Sequence, residues 1–244
     1  MIKIKFKIDE INNYLNVKDN VATLNIYGDI VSSECDEWSE ANVSPEFVNG
    51  FLNSVKNKEL HIHINSGGGS AFAGIAIYNL LKNRAEKTIV HIDALAASAA
   101  SVIAMAGDEV RMPTGSILLV HKPWAMACGD ADELRHEADF LDSVHTSILD
   151  VYKENLKNEA DFAIIKKYVD EETCLNTEMA EKLFSNVIVE NNLSAVACVD
   201  SEFYSRYKNL KDISIEQDKK NKIDRLIKNI EIKECLEERS SFFI

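Results

Sequence analysis

The sequence lacks the features that mark membrane-spanning and zinc-binding proteins. No apolar run approaches the roughly 20 residues that a membrane-spanning helix requires. The five cysteines are Cys35, Cys128, Cys174, Cys198 and Cys235, and none stands in a CxxC pair or at zinc-ligand spacing from a histidine. Their odd number and wide separation predict reduced thiols in an intracellular protein rather than a disulfide framework.

Basic residues are too few for a protein that binds nucleic acid through charge. Lys and Arg total 27 against 40 Asp and Glu, so the formal net charge is −13. Sequence-independent binding to phosphates needs clustered Lys and Arg, and an acidic surface also disfavours anionic membranes. The basic N-terminus lacks the long apolar core and the cleavage site of a signal peptide. We therefore expect a soluble, intracellular protein that binds neither nucleic acid nor membrane.

The glycine run at residues 67–69 lacks the neighbours that would make it a nucleotide-binding loop. No Lys-Ser or Lys-Thr pair follows it, which excludes a Walker loop. Phe72 stands where a dinucleotide-binding fingerprint needs its third glycine. Glycine does permit the close approach of a backbone to a ligand. The run therefore favours a loop whose N–H groups meet a substrate, and no cofactor is expected.

Strand and helix patterns alternate along the chain. The predicted strands are residues 22–27, 60–64, 88–93, 109–112 and 117–120. The predicted helices are residues 44–55, 70–81, 98–106 and a long amphipathic one at 131–156. Alternation with short connections predicts an α/β fold with a largely parallel sheet.

The chain is predicted to have three parts. We predict an N-terminal extension at residues 1–21, a globular domain at 22–199 and a C-terminal appendage at 200–244 that is partly helical or flexible. Within the appendage, residues 219–238 are rich in Lys, Glu and Ile, with apolar residues at roughly helical spacing. An isolated helix of this kind is marginal unless its apolar stripe packs against another element.

A serine lies among small residues in the stretch ALAASAASVIAMAG, residues 94–107, where a strand turns into a short helix. At that position Ser98 is exposed at the positive end of the helix dipole, where developing negative charge is favoured. Its alanine neighbours let a substrate backbone approach. Ser98 is therefore a candidate nucleophile, although most serines at such positions only cap the helix. Ser101 lies one turn further into the helix and is predicted to be a packed small residue.

A histidine ends the apolar strand at residues 117–120. Pro123 turns the chain shortly after His121, so the imidazole is expected at a sheet edge. A histidine there, a serine and a loop of free N–H groups together supply the base, nucleophile and oxyanion donors of acyl transfer. His61 and His63 share one strand face, but no cluster of carboxylates or cysteines supports a metal site, and none is predicted.

Three segments in order, INSGGGSAFAGIAIYNLL, HIDALAASAASVIAMAG and LLVHKPW, resemble the Clp protease proteolytic subunit family, peptidase family S14. They are most similar to its phage branch, the head maturation proteases. The resemblance extends from about residue 22 to about residue 189. It implies a ClpP-like or crotonase-like spiral of βαβ units with a protruding long helix. It also implies a serine endopeptidase with Ser98 as nucleophile and His121 as general base.

The resemblance implies a specific role for the glycine run. The N–H groups of Gly69 and Ala99 would form the oxyanion hole, and Gly67 and Gly68 would bind the extended substrate backbone. The family carries Pro-Gly-Gly in this loop, whereas Gly67 occupies the proline position here. Neither a metal nor a cofactor is implied.

The third triad position departs from the family pattern. The resemblance places an aspartate shortly after a helix, and here the stretch LNTEMAEKLFSNV puts Val187 at that position when no gap is allowed. A one-residue deletion before Phe184 moves the position to Asn186 and keeps the preceding residues in register. An amide can orient an imidazole, so Asn186 is predicted to hold His121, with Glu190 as the less favoured alternative.

The resemblance implies a homo-oligomeric ring in which the helix at 131–156 contacts a second ring. The phage-like segments imply processing of capsid or scaffold proteins during head assembly, in the cytoplasm of a bacterial host or within the assembling head. Three alternatives remain. They are a housekeeping Clp peptidase fed by an ATP-dependent unfoldase, a crotonase-like enzyme acting on acyl-CoA thioesters, and an inactive ring scaffold. A fluorophosphonate probe for reactive serines would separate the peptidase from the acyl-CoA enzyme.

Overall fold

The computed structural model describes residues 15–18, 20–33 and 42–190, which all fall within the unit Met1–Val199. The predicted appendage at 200–244, its stretch at 219–238 and most of the predicted N-terminal extension lie outside the described residues, as do Cys35, Cys198 and Cys235. Within the described part of the chain, Cys128 and Cys174 are free thiols. No helix there is long and apolar enough to cross a membrane.

Eight strands and six α-helices make up the described chain. The strands are β1 (Leu15–Lys18), β2 (Val21–Ile26), β3 (Glu59–Ser66), β4 (Thr88–Ala97), β5 (Glu109–Pro113), β6 (Ile117–Val120), β7 (Thr173–Asn176) and β8 (Val187–Glu190). The helices are α1 (Pro45–Ser54), α2 (Ala71–Lys82), α3 (Ala99–Ala104), α4 (Ala131–Glu154), α5 (Phe162–Asp170) and α6 (Thr177–Leu183). The predicted strands and helices within this part of the chain are confirmed, while β1, β7, β8 and α5 were not predicted.

The strands form one mostly parallel sheet, which confirms the predicted fold class. Its main order is β1-β2-β3-β4-β5-β8, and β6 pairs with both β4 and β7. Only the β1–β2 and β6–β7 pairs are antiparallel among the described strands. The sheet branches at β4, because the first half of this strand pairs with β5 and its last three residues pair with β6. This branch brings the carboxyl ends of β4 and β6 to one edge.

Alternation along β3 separates the core from the outer face of the sheet. Leu60, Ile62 and Ile64 are fully buried, whereas His61 and His63 on the opposite face are not. Successive residues of a strand point to opposite faces, so this pattern commits one face to the core that α1, α2 and α3 share.

Helix α4 contributes to the core only through its second half. A capping box between Asp130 and Glu133 starts the helix, with the Asp130 carboxylate accepting the Glu133 N–H at 3.0 Å. From Val144 onward it buries one apolar stripe, whereas no residue from 131 to 143 is buried. Its first half therefore stands clear of the described core, as a protruding helix does.

Three imidazoles stack on the outer face of β3 and β4. The His91 ring lies 5.1 Å from that of His61 and 4.6 Å from that of His63, measured between centroids. Nδ1 of His61 is 2.9 Å from Nε2 of His91. Carboxylates accompany the stack, contrary to the expectation from the sequence, since Glu59 contacts His61 and Asp93 contacts His63. Both ring nitrogens of His61, Nε2 of His91 and Nδ1 of His63 therefore contact protein groups. These contacts explain the stack without a metal ion.

His91 makes the stack sensitive to acid. Burial lowers the pKa of His91 to about 4, and the neighbouring positive charges of His63, His61 and Arg111 add to the effect. The unfolded chain binds this proton near pH 6.5, so the contribution of neutral His91 to stability is full above pH 6.5 and is lost as the pH falls toward 4.

We predict that His91→Gln flattens the loss of stability between pH 7 and pH 4.5. One proton contributes at most about 1.4 kcal/mol per pH unit, and partial exposure of the stack reduces this figure. Urea denaturation at several pH values would measure the difference, with exposed His136→Gln as the control. Equal pH dependence in the wild type and His91→Gln would contradict the prediction.

Candidate active site

Ser98 and His121 directly follow two neighbouring parallel strands. Strand β4 ends at Ala97, which pairs with Leu119 of β6. The Ser98 N–H donates to the Leu119 carbonyl at 3.0 Å, so the pairing continues into the serine. Because the carboxyl ends of parallel strands meet at the same edge of a sheet, the structure brings Ser98 and His121 to one place. Both residues are half-buried.

The backbone of Ser98 is strained. Its φ of 56° and ψ of −125° lie outside the regions that residues with a Cβ usually occupy. Such a conformation costs on the order of 1–3 kcal/mol and persists only where the surroundings hold it. The Ser98 hydroxyl makes no capping hydrogen bond to α3. A strained serine between a strand and a helix, with its hydroxyl uncommitted to the helix, is the geometry in which nucleophilic serines are presented.

Gly68 packs directly against the serine. A Cβ on Gly68 would lie 2.7 Å from the Cβ of Ser98 and 2.5 Å from the Ala97 carbonyl oxygen. A Cβ on Gly69 would lie 2.1 Å from the Ile30 carbonyl oxygen. Both glycines have φ in the range that disfavours other residues, +90° and +148°. Only glycine fits at either position; Gly68 is buried against Ser98, whereas Gly69 is exposed.

Ile30 orients the glycine loop. The Ile30 N–H donates to the Gly68 carbonyl at 2.9 Å, and the Ser70 N–H donates to the Ile30 carbonyl at 2.8 Å. Gly69 lies between Gly68 and Ser70, the two residues that bond Ile30. In a parallel bridge, such a middle residue directs its own N–H away from the bonded partner. The N–H of Gly69 therefore points away from Ile30. Ala99 is the other predicted oxyanion donor. Its backbone nitrogen lies 3.1 Å from the point that a Cβ added to Gly68 would occupy, so the glycine loop packs against the start of α3.

His121 is held in its neutral form. Burial lowers the pKa of His121 to about 4, and a backbone hydrogen bond at Lys122 opposes this only in part. A neutral imidazole can accept a proton, which is what a general base requires.

Asn186 does not orient His121. Its Nδ2 donates to the Gly107 carbonyl at 2.9 Å and to Asn155 Oδ1 at 3.3 Å. Its Oδ1 is buried and accepts no hydrogen bond from any described residue, so the predicted bond from His121 is not made.

The register of the strands explains why Asn186 lies far from His121. Asn186 precedes the amino end of β8, level with Ile89 on β4 through the pairing of β5 with both strands. His121 lies beyond the level of Ala97. Ala97 is eight residues after Ile89, so about 26 Å along β4 separates the level of Asn186 from that of His121.

The other two residues weighed for the third position are also engaged elsewhere. Val187 is apolar and buried in β8. Glu190 ends β8 opposite Pro113, and its carboxylate lies 3.5 Å from the Arg111 guanidinium. Neither residue lies at the edge of the sheet that carries Ser98.

Continuing the ladder of β6 and β7 by one residue would set a different carboxylate, Glu172, across from His121. In the antiparallel ladder of β6 and β7, Val120 pairs with Thr173, so the next residues outward are His121 and Glu172. Glu172 has a φ of 52°, which marks a sharp turn immediately before β7. Sequence reasoning missed it because the strand at 173–176 was not predicted, and only that strand identifies its partner.

The charge of Glu172 lies near Cys174 of β7. Burial raises the pKa of the Cys174 thiol, and the charge of Glu172 raises it further. Residues two apart on a strand share a face, and Cys174 pairs with Leu119, which is two residues before His121. The two preceding carboxylates contact lysines: Asp170 lies 2.7 Å from the Lys166 ammonium and 3.6 Å from that of Lys122, and Glu171 lies 3.9 Å from that of Lys167.

Ser101 is the packed residue that the sequence predicted. It is fully buried, and its hydroxyl lies 2.6 Å from the Ser98 carbonyl oxygen and 2.7 Å from the Tyr152 hydroxyl. Among the described residues, no group of three or more His, Cys, Asp or Glu side chains is arranged to hold a metal ion.

Comparison with known proteins gives matches of three kinds. The family model for Clp protease matches residues 30–190. The ATP-dependent Clp protease proteolytic subunit of Chlorella vulgaris is 34% identical over 109 residues, which are 43% of this chain and 53% of that protein. The subunit of the same name from Oltmannsiellopsis viridis is 30% identical over 106 residues, 42% and 54% of the two chains. The chain thus spans about half the length of these curated relatives.

A solved structure supports the same fold. A point mutant of ClpP1 from Listeria monocytogenes superposes with a TM-score of 0.56 at 23% identity, covering 70% of this chain and 91% of that one. These findings confirm the predicted ClpP-like fold, whereas the phage branch stays a prediction. Because the family model matches more than half of the residues, the chain belongs to the Clp protease family.

Proposed function

We propose that the protein is a serine peptidase of the ClpP type, with Ser98 as nucleophile and His121 as general base. The observation that carries this proposal is the strained turn at Ser98, whose hydroxyl does not cap α3. Gly68 packs against it, and it lies level with the end of the strand that His121 follows. A serine that served only to start a helix would need neither the strain nor the glycine packed against it.

The mechanism follows from the placement of these groups. Ser98 Oγ attacks the peptide carbonyl carbon while His121 accepts the hydroxyl proton, and the carbonyl oxygen becomes an oxyanion. The N–H groups of Gly69 and Ala99 donate to that oxygen. His121 then gives the proton to the leaving amine, and the acyl-enzyme forms. Water, deprotonated by His121, attacks the ester and releases Ser98.

Glu172 is proposed as the third member of the triad. An acidic side chain across from His121 can accept the N–H on the side of the ring away from Ser98. It fixes the tautomer that leaves the other ring nitrogen free to take the serine proton, and its charge stabilises the imidazolium that results. Support comes from the ladder of β6 and β7 and from the electrostatic effect on Cys174.

The substrate is proposed to be an extended peptide lying along residues 67–69, of which Gly69 is exposed and Gly67 is partly exposed. A homo-oligomeric ring in the cytoplasm is proposed from family membership. Two settings fit this peptidase. The segments quoted above favour processing of capsid or scaffold proteins, and the ATP-dependent relatives equally favour work with an unfoldase. The Ser98–His121 arrangement favours peptide substrates over the acyl-CoA thioesters of a crotonase-like enzyme.

Ser98→Ala should abolish covalent labelling by a fluorophosphonate, because the probe needs an activated serine oxygen. Intact-protein mass spectrometry would measure the added mass, and exposed Ser143→Ala is the control that should label like the wild type. Losing the nucleophile should lower turnover by several orders of magnitude. Labelling of Ser98→Ala at the wild-type rate would overturn the proposed function.

The acid limb of the pH profile should lie well below pH 6.5. His121 stays neutral down to about pH 4 in the free enzyme, because burial disfavours its protonated form. The pH dependence of kcat/KM reports ionisations of the free enzyme, so it would locate this limb. A midpoint at pH 6.5 in the wild type would contradict this prediction, and its fall toward pH 4 in Glu172→Gln would show that the Glu172 charge offsets the burial of His121.

Glu172→Gln should lower kcat by up to about ten-thousand-fold, the loss known for replacing a triad carboxylate by an amide in serine proteases. Asn186→Ala should leave kcat within a few-fold and reduce stability by roughly 1 kcal/mol, because it loses the hydrogen bond to Gly107. Peptidase assays and urea denaturation would measure both effects. A gain of activity in Asn186→Asp with no loss in Glu172→Gln would return the third role to Asn186.

A further inference from the structure

A buried pair of hydroxyl groups lies directly behind the nucleophile. Ser101 and Tyr152 are 0% and 1% exposed, and their side-chain oxygens are 2.7 Å apart. The Ser101 hydroxyl also lies 2.6 Å from the Ser98 carbonyl, which can only accept a hydrogen bond. Ser101 therefore donates its one proton to Ser98, and Tyr152 must donate to Ser101. A directed chain of two hydrogen bonds runs from Tyr152 through Ser101 to Ser98.

This chain ends on the peptide group that carries an oxyanion donor. The Ser98 carbonyl and the Ala99 N–H belong to one planar peptide, so the direction of the first fixes that of the second. Two backbone N–H groups also reach the Ser98 carbonyl, from Ser101 at 2.9 Å and from Val102 at 3.3 Å. Of these three contacts, the one from the Ser101 hydroxyl is the shortest and comes from a side chain.

Tyr152 is itself anchored from two elements. It lies in the last turns of α4, and its ring packs against that of Phe184 after α6, with 6.1 Å between centroids. A hydroxyl on so buried a ring has little freedom, so it provides a fixed reference for Ser101. The strained Ser98 needs such support, because an unrestrained peptide would relax toward ordinary angles.

We propose that Ser101 and Tyr152 are positioning residues that aim the Ala99 N–H at the oxyanion. The proposal rests on the proposed function, since it assigns the pair a role in that reaction. Neither residue touches the substrate. Their effect acts through the Ser98–Ala99 peptide.

Tyr152→Phe tests the proposal, because it removes the hydroxyl and keeps the ring against Phe184. We expect kcat on a short peptide to fall about tenfold, less than the hundredfold or more for loss of an oxyanion donor, with KM unchanged. Weakening a donor that acts only in the transition state lowers kcat and leaves KM unchanged, whereas a general loosening of the active site would also raise KM. Ser101→Ala should show the same split, and the double variant should be no worse than Ser101→Ala because both act through one chain.

Tyr78→Phe is the matched control. The Tyr78 hydroxyl donates to Glu154 of the same long helix at 2.8 Å, so this change removes a similar tyrosine contact that does not lead to Ser98. It should leave kcat and KM at wild-type values. All variants are compared at a temperature at which circular dichroism shows each to be folded.

Amide hydrogen exchange supplies a readout that does not depend on catalysis. In Tyr152→Phe, exchange in the peptide covering residues 98–105 should quicken, and in Tyr78→Phe it should not. If wild-type Ser98 fails to react with fluorophosphonate, the proposed function is wrong, while the exchange result still decides whether the pair holds this peptide. Unchanged exchange, an unchanged kcat, or a rise in KM alone in Tyr152→Phe would overturn the inference.

Discussion

The hydrogen bond from the Ser98 N–H to the Leu119 carbonyl is the contact on which the candidate site depends. It continues the pairing of β4 with β6 by one residue, and so it sets Ser98 level with the end of the strand that delivers His121. A slip of one residue in this register would turn the side chains of β6 to the opposite face. The same bond also restrains one side of a residue whose backbone angles are unfavourable. This one hydrogen bond therefore fixes the position of Ser98 and helps to hold its strained backbone.

Close backbone packing surrounds that contact and makes it possible. Gly68 lies against Ser98, and a Cβ on Gly74 of α2 would come within 2.9 Å of the Ala99 Cβ, so α2 packs directly on the start of α3. Behind α3, the hydroxyls of Ser101 and Tyr152 complete the support from α4. The strain at Ser98, on the order of 1–3 kcal/mol, is thus offset by neighbours from three separate segments of the chain. Larger residues at the two glycine positions would move Ser98 away from His121.

The prediction that Asn186 holds His121 shows where inference from sequence failed. A gap placed before Phe184 selected Asn186, because the motif was read as a linear pattern with its key residue after α6. In the fold, that residue precedes β8 at the far edge of the sheet, where its amide bonds Gly107 and Asn155. Glu172 precedes a four-residue strand whose sequence, TCLN, has no distinctive alternation. Its relation to His121 exists only through the antiparallel ladder with β6, and no local pattern encodes that pairing.

The sequence alone determined the order of most strands and helices, the parallel α/β class, and the serine, histidine and glycines at the site. Local patterns suffice for these, because periodicity reports the buried face of each element and glycine marks where the backbone must approach closely. Tertiary structure decided the branching of the sheet at β4, the strained angles of Ser98, the stack of three imidazoles around His91, and the pairing of β6 with β7 from which Glu172 is proposed as the partner of His121. Each of these depends on the register between strands distant in sequence, and register is set by how whole faces pack together rather than by any one segment.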